Sequence, residues 1–298
     1  MRGPSRVNGA ASSSVLTSMD AVRYTRRIMR NLALLCVLLV PLAASAQVPN
    51  VDLSGLSDSD KAAFGRLIQK YPSVCGKAHS LETSLKSDPK CRRSVFAARF
   101  IARLLKAGLL PSEVEEYYEK RFGANVYAFK DIDTKDSPVR GDPGAPIKIV
   151  EFSDFQCPHC KHAQSALEQI LGEYPQVKLY FKNYPISRAH PYAQLAAQAA
   201  IAAGKQGKFW QFHDKVFKGD QEKESPADLE RYARELKLDI GKWKKDTEAA
   251  ADKVNRDRAD GERANIDSTP TFFINGRRFH GAPVYTEIKD WVEEELNK

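Results

Sequence analysis

Two cysteines separated by two residues follow directly on an apolar run, and this pattern constrains the fold of the 298-residue chain most strongly. Residues 147–152 read IKIVEF, which predicts a short buried strand. Pro158 suits the first position of a helix, where no backbone N–H is needed. Cys157 is therefore predicted at a helix N-terminus, where N–H groups and the helix dipole stabilise a thiolate. His159 can add a positive charge or a hydrogen-bond donor beside that sulfur. Cys160 lies one turn further into the helix, so the pattern indicates a redox-active pair.

Three other interpretations of this cysteine pair are weaker. A structural disulfide remains open, although a two-residue spacer at the start of a helix is unusual for one. A zinc site also remains open, but it needs two more ligands, and the sequence holds no second C-x-x-C. Covalent haem attachment requires a histidine directly after the second cysteine, and Lys161 stands there instead.

The order of predicted elements around the pair indicates an α/β fold. A strand at 147–152, a helix at 158–171 and a strand at 177–181 form a unit whose helical crossover favours parallel pairing. A long helical stretch follows, at about 190–264. Asn275-Gly276, between two short apolar runs, predicts a hairpin, and an amphipathic helix at 285–296 closes the chain.

The sequence around the cysteines resembles a known family. EFSDFQ (residues 151–156), leading into Cys-Pro-His-Cys, is similar to the DsbA-like thiol oxidases of the thioredoxin superfamily. STPTF (residues 268–272) resembles the cis-proline loop of that family. The resemblance covers about 147–298, and it implies a thioredoxin fold with a helical insertion at about 190–264.

The resemblance also implies roles for individual residues. Cys157 matches the surface nucleophile of the family, and Cys160 matches its buried resolving partner. Pro158 and His159 match the dipeptide between them. Pro270 matches the cis-proline beside the disulfide, which leaves the backbone of Thr269 available to pair with a substrate peptide.

Glu151 matches a buried acidic residue beneath the disulfide, and the resemblance implies that it takes the proton from Cys160 during exchange. A strand interior is a costly place for a carboxylate, which favours a functional role. Lys182, at the end of the next strand, is a candidate charge partner for Glu151. His190 and His213 fall in the helical stretch and are predicted to be ordinary packing or surface residues.

The N-terminus has the pattern of an export signal. A basic cluster, an apolar stretch at 32–42 and Ala44-Ser45-Ala46 predict a signal peptide over 1–46. This segment holds six arginines and one aspartate, so its removal lowers the net charge from +8 to +3 and weakens any nucleic-acid interpretation. Its removal also takes away Cys36 and leaves an even number of cysteines. Export delivers the chain to an oxidising compartment, where cysteines pair, and we expect this compartment to be the periplasm.

Residues 50–130 are predicted to form a small all-α N-terminal domain, and the Asp-, Pro- and Gly-rich stretch 131–146 is predicted to be a linker. Cys75 and Cys91 fall in the helical domain. Together with His79 they offer only three zinc ligands, so a structural disulfide is favoured and no metal is expected. A second, substrate-linked redox pair remains an alternative.

The leading functional hypothesis is an exported thiol:disulfide oxidoreductase that introduces disulfides into secreted proteins without a cofactor. Its expected partners are folding proteins with free thiols and, as the resemblance implies, a membrane quinone-linked reoxidase. Nucleic acid is not expected as a partner, and the membrane is expected only through the reoxidase. A disulfide isomerase or reductase that uses residues 50–130 for dimerisation or client binding is an alternative, and so is a periplasmic chaperone or binding protein.

Overall fold

A five-stranded sheet lies at the centre of the fold, with its strands in the order β1–β3–β2–β4–β5. The computed structural model describes residues 48, 50–123, 129, 132–219 and 224–298, and the predicted signal peptide over 1–46 lies outside them. β2 and β3 are parallel, while β1, β4 and β5 run antiparallel to their neighbours. The strands are β1 (Val139–Gly141), β2 (Ile147–Ser153), β3 (Val177–Asn183), β4 (Thr271–Ile274) and β5 (Arg277–Arg278).

Strand alternation divides the apolar residues of the sheet between two faces. Ile149 and Leu179 pack against the helices α5 (Pro158–Glu173) and α11 (Tyr285–Leu296). Val150 and Phe152 point to the other face and contact Ile266, just beyond α10 (Ala251–Arg263). The loop from β2 to α5 therefore leaves the sheet between two layers of helices, and this loop carries the cysteine pair.

The hairpin between β4 and β5 forms where it was predicted. Asn275 and Gly276 have φ angles of 48° and 82°, both in the left-handed region that a two-residue hairpin turn requires. Asparagine and glycine adopt this region at little cost, which explains why this dipeptide closes the turn.

The long helical stretch predicted at about 190–264 is divided into five helices in the described residues. Ser225 caps one of them ahead of Pro226, and Asp239 caps the next, so local cap residues interrupt the apolar periodicity. The alanine-rich first helix is buried along most of its length against the others. These helices are α6 (Ala193–Gly204), α7 (Phe209–Lys218), α8 (Pro226–Glu235), α9 (Ile240–Ala249) and α10.

The predicted linker 131–146 contains an element that the sequence did not reveal. β1 lies within it and adds an antiparallel edge strand to β3. Three residues are too few to show a period of two, and Gly141 is typical of a turn. The stretch is therefore part of the sheet at 139–141 rather than linker throughout.

The helical segment 50–123 holds four helices and packs against the end of the chain. The helices are α1 (Asp58–Lys70), α2 (Leu81–Ser87), α3 (Arg93–Lys106) and α4 (Pro111–Phe122). Arg93 of α3 and Arg121 of α4 form ion pairs of 3.0 and 2.9 Å with Glu294 of α11. Arg277 of β5 reaches the same carboxylate at 2.9 Å, and we call these four residues the Glu294 cluster.

The observed fold class is thus α/β, with a helical insertion between β3 and β4 and a helical segment ahead of the sheet. Residues 47–298 form one compact unit, so the helical segment is packed onto the sheet domain. Among the described residues, no helix is long and apolar enough to cross a membrane.

Candidate active site

Cys157 and Cys160 lie where β2 gives way to α5. Cys157 is the N-cap of α5 and Pro158 occupies its first turn, so the cysteine sulfur sits at the positive end of the helix dipole. Both cysteines are buried and present as thiols. The backbone N–H of Asp154 donates to Cys160 Sγ at 3.4 Å, which holds the second sulfur against the end of the strand.

The two thiols differ strongly in acidity. The pKa of Cys157 is lowered to about 5, first by the hydrogen bond from the Cys160 side chain and further by the backbone N–H groups of residues 159 and 160. Burial raises the pKa of Cys160 well above its usual range, and the neighbouring Cys157 and Glu151 raise it further. A single thiolate is therefore expected at neutral pH, on Cys157.

The two residues between the cysteines are exposed. Pro158 fits the first turn because that position has no intrahelical partner for an N–H. His159 stabilises the Cys157 thiolate through its backbone N–H, which is directed at the Cys157 sulfur.

The loop before β4 closes the other side of the site. The Thr269–Pro270 peptide bond is cis. Cys157 Sγ lies 3.4 Å from the carbonyl oxygen of Thr269, across 112 residues of sequence. The structure therefore brings together the cysteine pair and both residues that the resemblance assigned to substrate binding.

Glu151 is fully buried on β2, beneath the cysteine pair. Gln164 Nε2 on α5 donates to Glu151 Oε1 at 2.9 Å and to the Cys160 carbonyl at 3.2 Å. Burial raises the pKa of Glu151 to about 7 against the opposing effect of its hydrogen bonds. A carboxyl group with this pKa accepts and releases protons near neutral pH, which suits proton transfer with Cys160.

The hypothesis that Lys182 is the charge partner of Glu151 is wrong. In the parallel register of β2 and β3, Glu151 lies opposite Phe181 and Lys182 lies opposite Phe152. Lys182 therefore points to the other face of the sheet. There it forms ion pairs of 2.8 and 2.5 Å with Asp257 and Asp260 of α10.

Asp154 and His190 form part of the site that the sequence did not reveal. The buried Asp154 carboxylate accepts hydrogen bonds from the backbone N–H groups of Gln156 and Ile186 at 2.8 and 2.7 Å. His190 Nδ1 lies 2.7 Å from the same carboxylate. This arrangement fixes the loop immediately before Cys157. Asp154 stands within the motif that resembles the family, but two of its partners, Ile186 and His190, come from a segment more than 30 residues away.

The remaining cysteines lie in the helical segment. Cys75 and Cys91 are joined by a disulfide, and Ser73 and Ser94 contact the Cys91 sulfur. His79 Nε2 lies 2.9 Å from the Ser84 hydroxyl. Within the described ranges, no group of three or more His, Cys, Asp or Glu residues is placed to hold a metal ion.

The family model described as Thioredoxin matches residues 133–294, which is more than half of the chain. The chain belongs to the thioredoxin family. The match begins ahead of β1, in agreement with the strand found inside the predicted linker.

Solved structures similar to the chain come from the same family. Oxidised BdbD from Bacillus subtilis is 30% identical with a TM-score of 0.52, over 57% of this chain and 98% of BdbD. A thioredoxin-like oxidoreductase from Silicibacter pomeroyi is 27% identical with a TM-score of 0.50, over 55% of this chain and 94% of its own. The chain is thus a DsbA-like oxidoreductase of the thioredoxin superfamily, and the predicted family, fold class and enzyme class are confirmed.

Curated relatives match half of the chain. The Na(+)/H(+) antiporter NhaA 3 of Salinispora tropica is 40% identical over 152 residues, which are 50% of this chain and 23% of the antiporter. The Na(+)/H(+) antiporter NhaA 1 of Mycobacterium sp. (strain KMS) is 36% identical over 155 residues, which are 25% of that protein. The chain therefore spans about a quarter of the length of these curated relatives.

Proposed function

We propose that the protein is an exported thiol:disulfide oxidase that introduces disulfides into secreted proteins through Cys157 and Cys160. The observation that carries the proposal is the position of Cys157 at the N-terminus of α5, where the Cys160 side chain and backbone N–H groups lower its pKa, while burial raises the pKa of Cys160. Stabilising the Cys157 thiolate stabilises the reduced protein, and a disulfide with a stabilised reduced form is a strong oxidant.

The proposed reaction begins when a client thiolate attacks Cys157 Sγ of the oxidised protein. A mixed disulfide forms, the bond between the two cysteines breaks, and Cys160 leaves with the electron pair. Because Cys160 holds a proton strongly, it takes one from protonated Glu151. A second client thiolate then attacks the client sulfur, and Cys157 leaves as the stabilised thiolate. The client loses two electrons, and the protein is left as the dithiol.

A periplasmic location and reoxidation by a membrane quinone-linked partner complete the proposal. Both rest on the resemblance to the DsbA-like family, and the location rests also on the signal-like pattern over 1–46. The net reaction leaves two electrons on the protein, so turnover requires an oxidant of some kind.

The deciding experiment is equilibration of the protein lacking residues 1–46 with glutathione redox buffers. We expect a potential well above the roughly −270 mV of thioredoxin and closer to the roughly −120 mV of DsbA. A double Cys75→Ala, Cys91→Ala variant serves as the control and should keep the same potential. A value near that of thioredoxin would contradict the oxidase proposal.

Two further measurements separate the alternatives. Sedimentation combined with refolding of a scrambled disulfide substrate tests the isomerase, since a monomer without isomerase activity rules it out. A Cys160→Ala variant tests the chaperone, because the oxidase should accumulate client mixed disulfides on Cys157. If no mixed disulfides form in cells, the binding-protein alternative is favoured.

A further inference from the structure

A groove with a volume of about 410 Å³ begins beside the cis-proline loop. Pro270 and Thr271 line its inner end, and the segment after β5 forms its floor. Pro270 directly follows Thr269, whose carbonyl oxygen lies 3.4 Å from Cys157 Sγ, so the lining of the groove begins one residue away from the contact with Cys157. A polypeptide whose cysteine reaches Cys157 would continue along this groove.

The outer wall of the groove belongs to the helical segment rather than to the thioredoxin fold. Tyr117 and Lys120 of α4 line it. The Tyr117 side chain is among the large apolar groups left exposed, at 39%. Lys120 Nζ lies 5.3 Å from the centre of the Tyr117 ring, which places an aromatic surface and a cation side by side.

Internal contacts hold this wall in place. Arg121, the next residue on α4, is fully buried and pairs with Glu294 and Asp290 of α11 at 2.9 and 3.0 Å. Its guanidinium also lies over the ring of Trp291, 4.5 Å from the ring centre. Because α4 is anchored one residue away, Tyr117 and Lys120 have a defined position over the groove.

The charges along the groove favour an acidic ligand. Lys120 and Arg278 line it, against a single acidic residue, Asp267. Each of these cations already has a carboxylate partner. Arg278 contacts the exposed Asp267 at 3.2 Å, and Lys120 contacts Glu116, which lies outside the groove, at 2.6 Å. Exposed ion pairs contribute little free energy, so a ligand carboxylate can replace either partner.

We propose that Tyr117 and Lys120 of the helical segment, with Arg278, select clients that carry an acidic residue and an apolar or aromatic residue beside the reactive cysteine. The proposal rests on the proposed oxidase function and names its substrate class. The client lies extended in the groove, with its apolar side chain against Tyr117 and its carboxylate between the two cations.

The test uses three dithiol peptides that differ only in the residues flanking one cysteine, which are Asp, Asn or Lys. Oxidation by the disulfide form of the protein should be roughly three- to tenfold faster for the Asp peptide than for the Lys peptide. Lys120→Glu should reverse this order, and Tyr117→Ala should slow all peptides that carry an aromatic neighbour.

A matched control variant is Lys86→Glu. Lys86 is an exposed lysine in an i,i+4 pair of 2.6 Å with Glu82, the same arrangement as Lys120 and Glu116, but on α2 and away from the groove. It changes the net charge of the protein equally and should leave the peptide order unchanged. Equal rates for the three peptides, or the same change in Lys86→Glu as in Lys120→Glu, would overturn the proposal.

A second measurement separates this proposal from the oxidase function. The same peptides with serine in place of cysteine are titrated into the protein and followed by NMR shifts of α4. Shifts that are larger for the Asp peptide and disappear in Lys120→Glu support acid-selective binding in the groove. If such shifts occur and no peptide is oxidised, only the oxidase proposal fails. If all peptides are oxidised but none gives acid-selective shifts, the oxidase proposal stands and the proposed client selection by the groove is wrong.

Discussion

The side-chain amide of Gln164 holds the carboxylate of Glu151, with 2.9 Å between Nε2 and Oε1. The same amide reaches the Cys160 carbonyl, so one residue links the buried acid to the helix turn that carries Cys160. Glu151 thereby keeps a hydrogen bond in a position where water is excluded, and burial sets its pKa near neutrality.

Replacing Glu151 with Gln should slow the reaction in which Cys160 attacks a mixed disulfide on Cys157. In the unmodified protein this rate should rise with pH through about 7, where Glu151 becomes a base. The variant should lose this inflection and react on the order of 100-fold more slowly. Single-turnover mixing of reduced protein with a large excess of oxidised glutathione, which drives the reaction toward the protein disulfide, measures the rate. If the variant keeps the inflection, a group other than Glu151 transfers the proton.

Glu151 should also make the protein less stable at higher pH. Its folded pKa, about 7, lies above the value of 4.5 expected when unfolded. Between these two values the folded state holds more protons, so its contribution to the free energy of unfolding falls as pH rises. Relative to Glu151→Gln, the unmodified protein should lose roughly 3 kcal/mol between pH 4.5 and 7 and then level off. Urea unfolding of both proteins across this range measures the difference; a constant difference would refute it.

Titration of the reduced protein should show one thiol with a pKa of about 5. Ultraviolet absorbance of the thiolate follows it, and Cys157→Ser should abolish the transition. Cys160→Ala should raise the pKa of Cys157, because the hydrogen bond from Cys160 is the main cause of its lowering. Because the pKa of Cys157 is about 5 in the folded dithiol and 9.0 for an unperturbed thiol, the stabilisation of the folded dithiol by this thiolate is complete above pH 9, falls progressively between pH 9 and 5, and is absent below pH 5. A transition near the ordinary thiol value would contradict this assignment.

Asp154→Ala should lower the free energy of unfolding by about 3 kcal/mol, since it leaves the buried N–H of Gln156, the half-buried N–H of Ile186 and His190 without their acceptor. Asp142→Ala provides the matched control. Asp142 accepts from the backbone N–H of Gly144 at 2.8 Å in an exposed loop, where water replaces it. Equal losses in the two variants, measured by urea unfolding, would show that the Asp154 contacts add nothing.

Removing the centre of the Glu294 cluster should be costly. Glu294→Ala leaves Arg93, Arg121 and Arg277 without their shared carboxylate and should lower the free energy of unfolding by roughly 3–5 kcal/mol. Glu235→Ala breaks exposed pairs with Lys215 and Arg231 and should cost less than about 1 kcal/mol. Similar denaturation midpoints for both variants would argue against the cluster as a source of stability.

Local chemistry explains what the sequence could predict. The helix start at Pro158 and the hairpin at Asn275-Gly276 depend on residues within one turn of each other, and the structure has both. Glu151 was singled out because a carboxylate in an apolar strand is unusual, and the structure places it beneath the cysteines.

Features that depend on strand register or distant contacts could not be predicted. The position of Lys182 at the end of the next strand suggests a pair with Glu151, but the register between β2 and β3 places the two side chains on opposite faces of the sheet. Asp154 meets His190 only because the chain returns from β3 over the start of α5. β1 is too short for its alternation to be visible, and its strand character arises from the edge of β3.

The sharing of Glu294 by three arginines has a consequence for how this protein could diverge. Two of the arginines come from the helical segment and one from the sheet, so Glu294 keeps Arg277 as a partner without the helical segment, whereas Arg93 and Arg121 depend on the carboxylate that α11 supplies. The dependence therefore runs in one direction. A chain without the helical segment would keep the Arg277–Glu294 pair and lose the guanidinium of Arg121 from the face of Trp291, whereas a helical segment joined to a last helix without Glu294 would lose the shared partner of both its arginines.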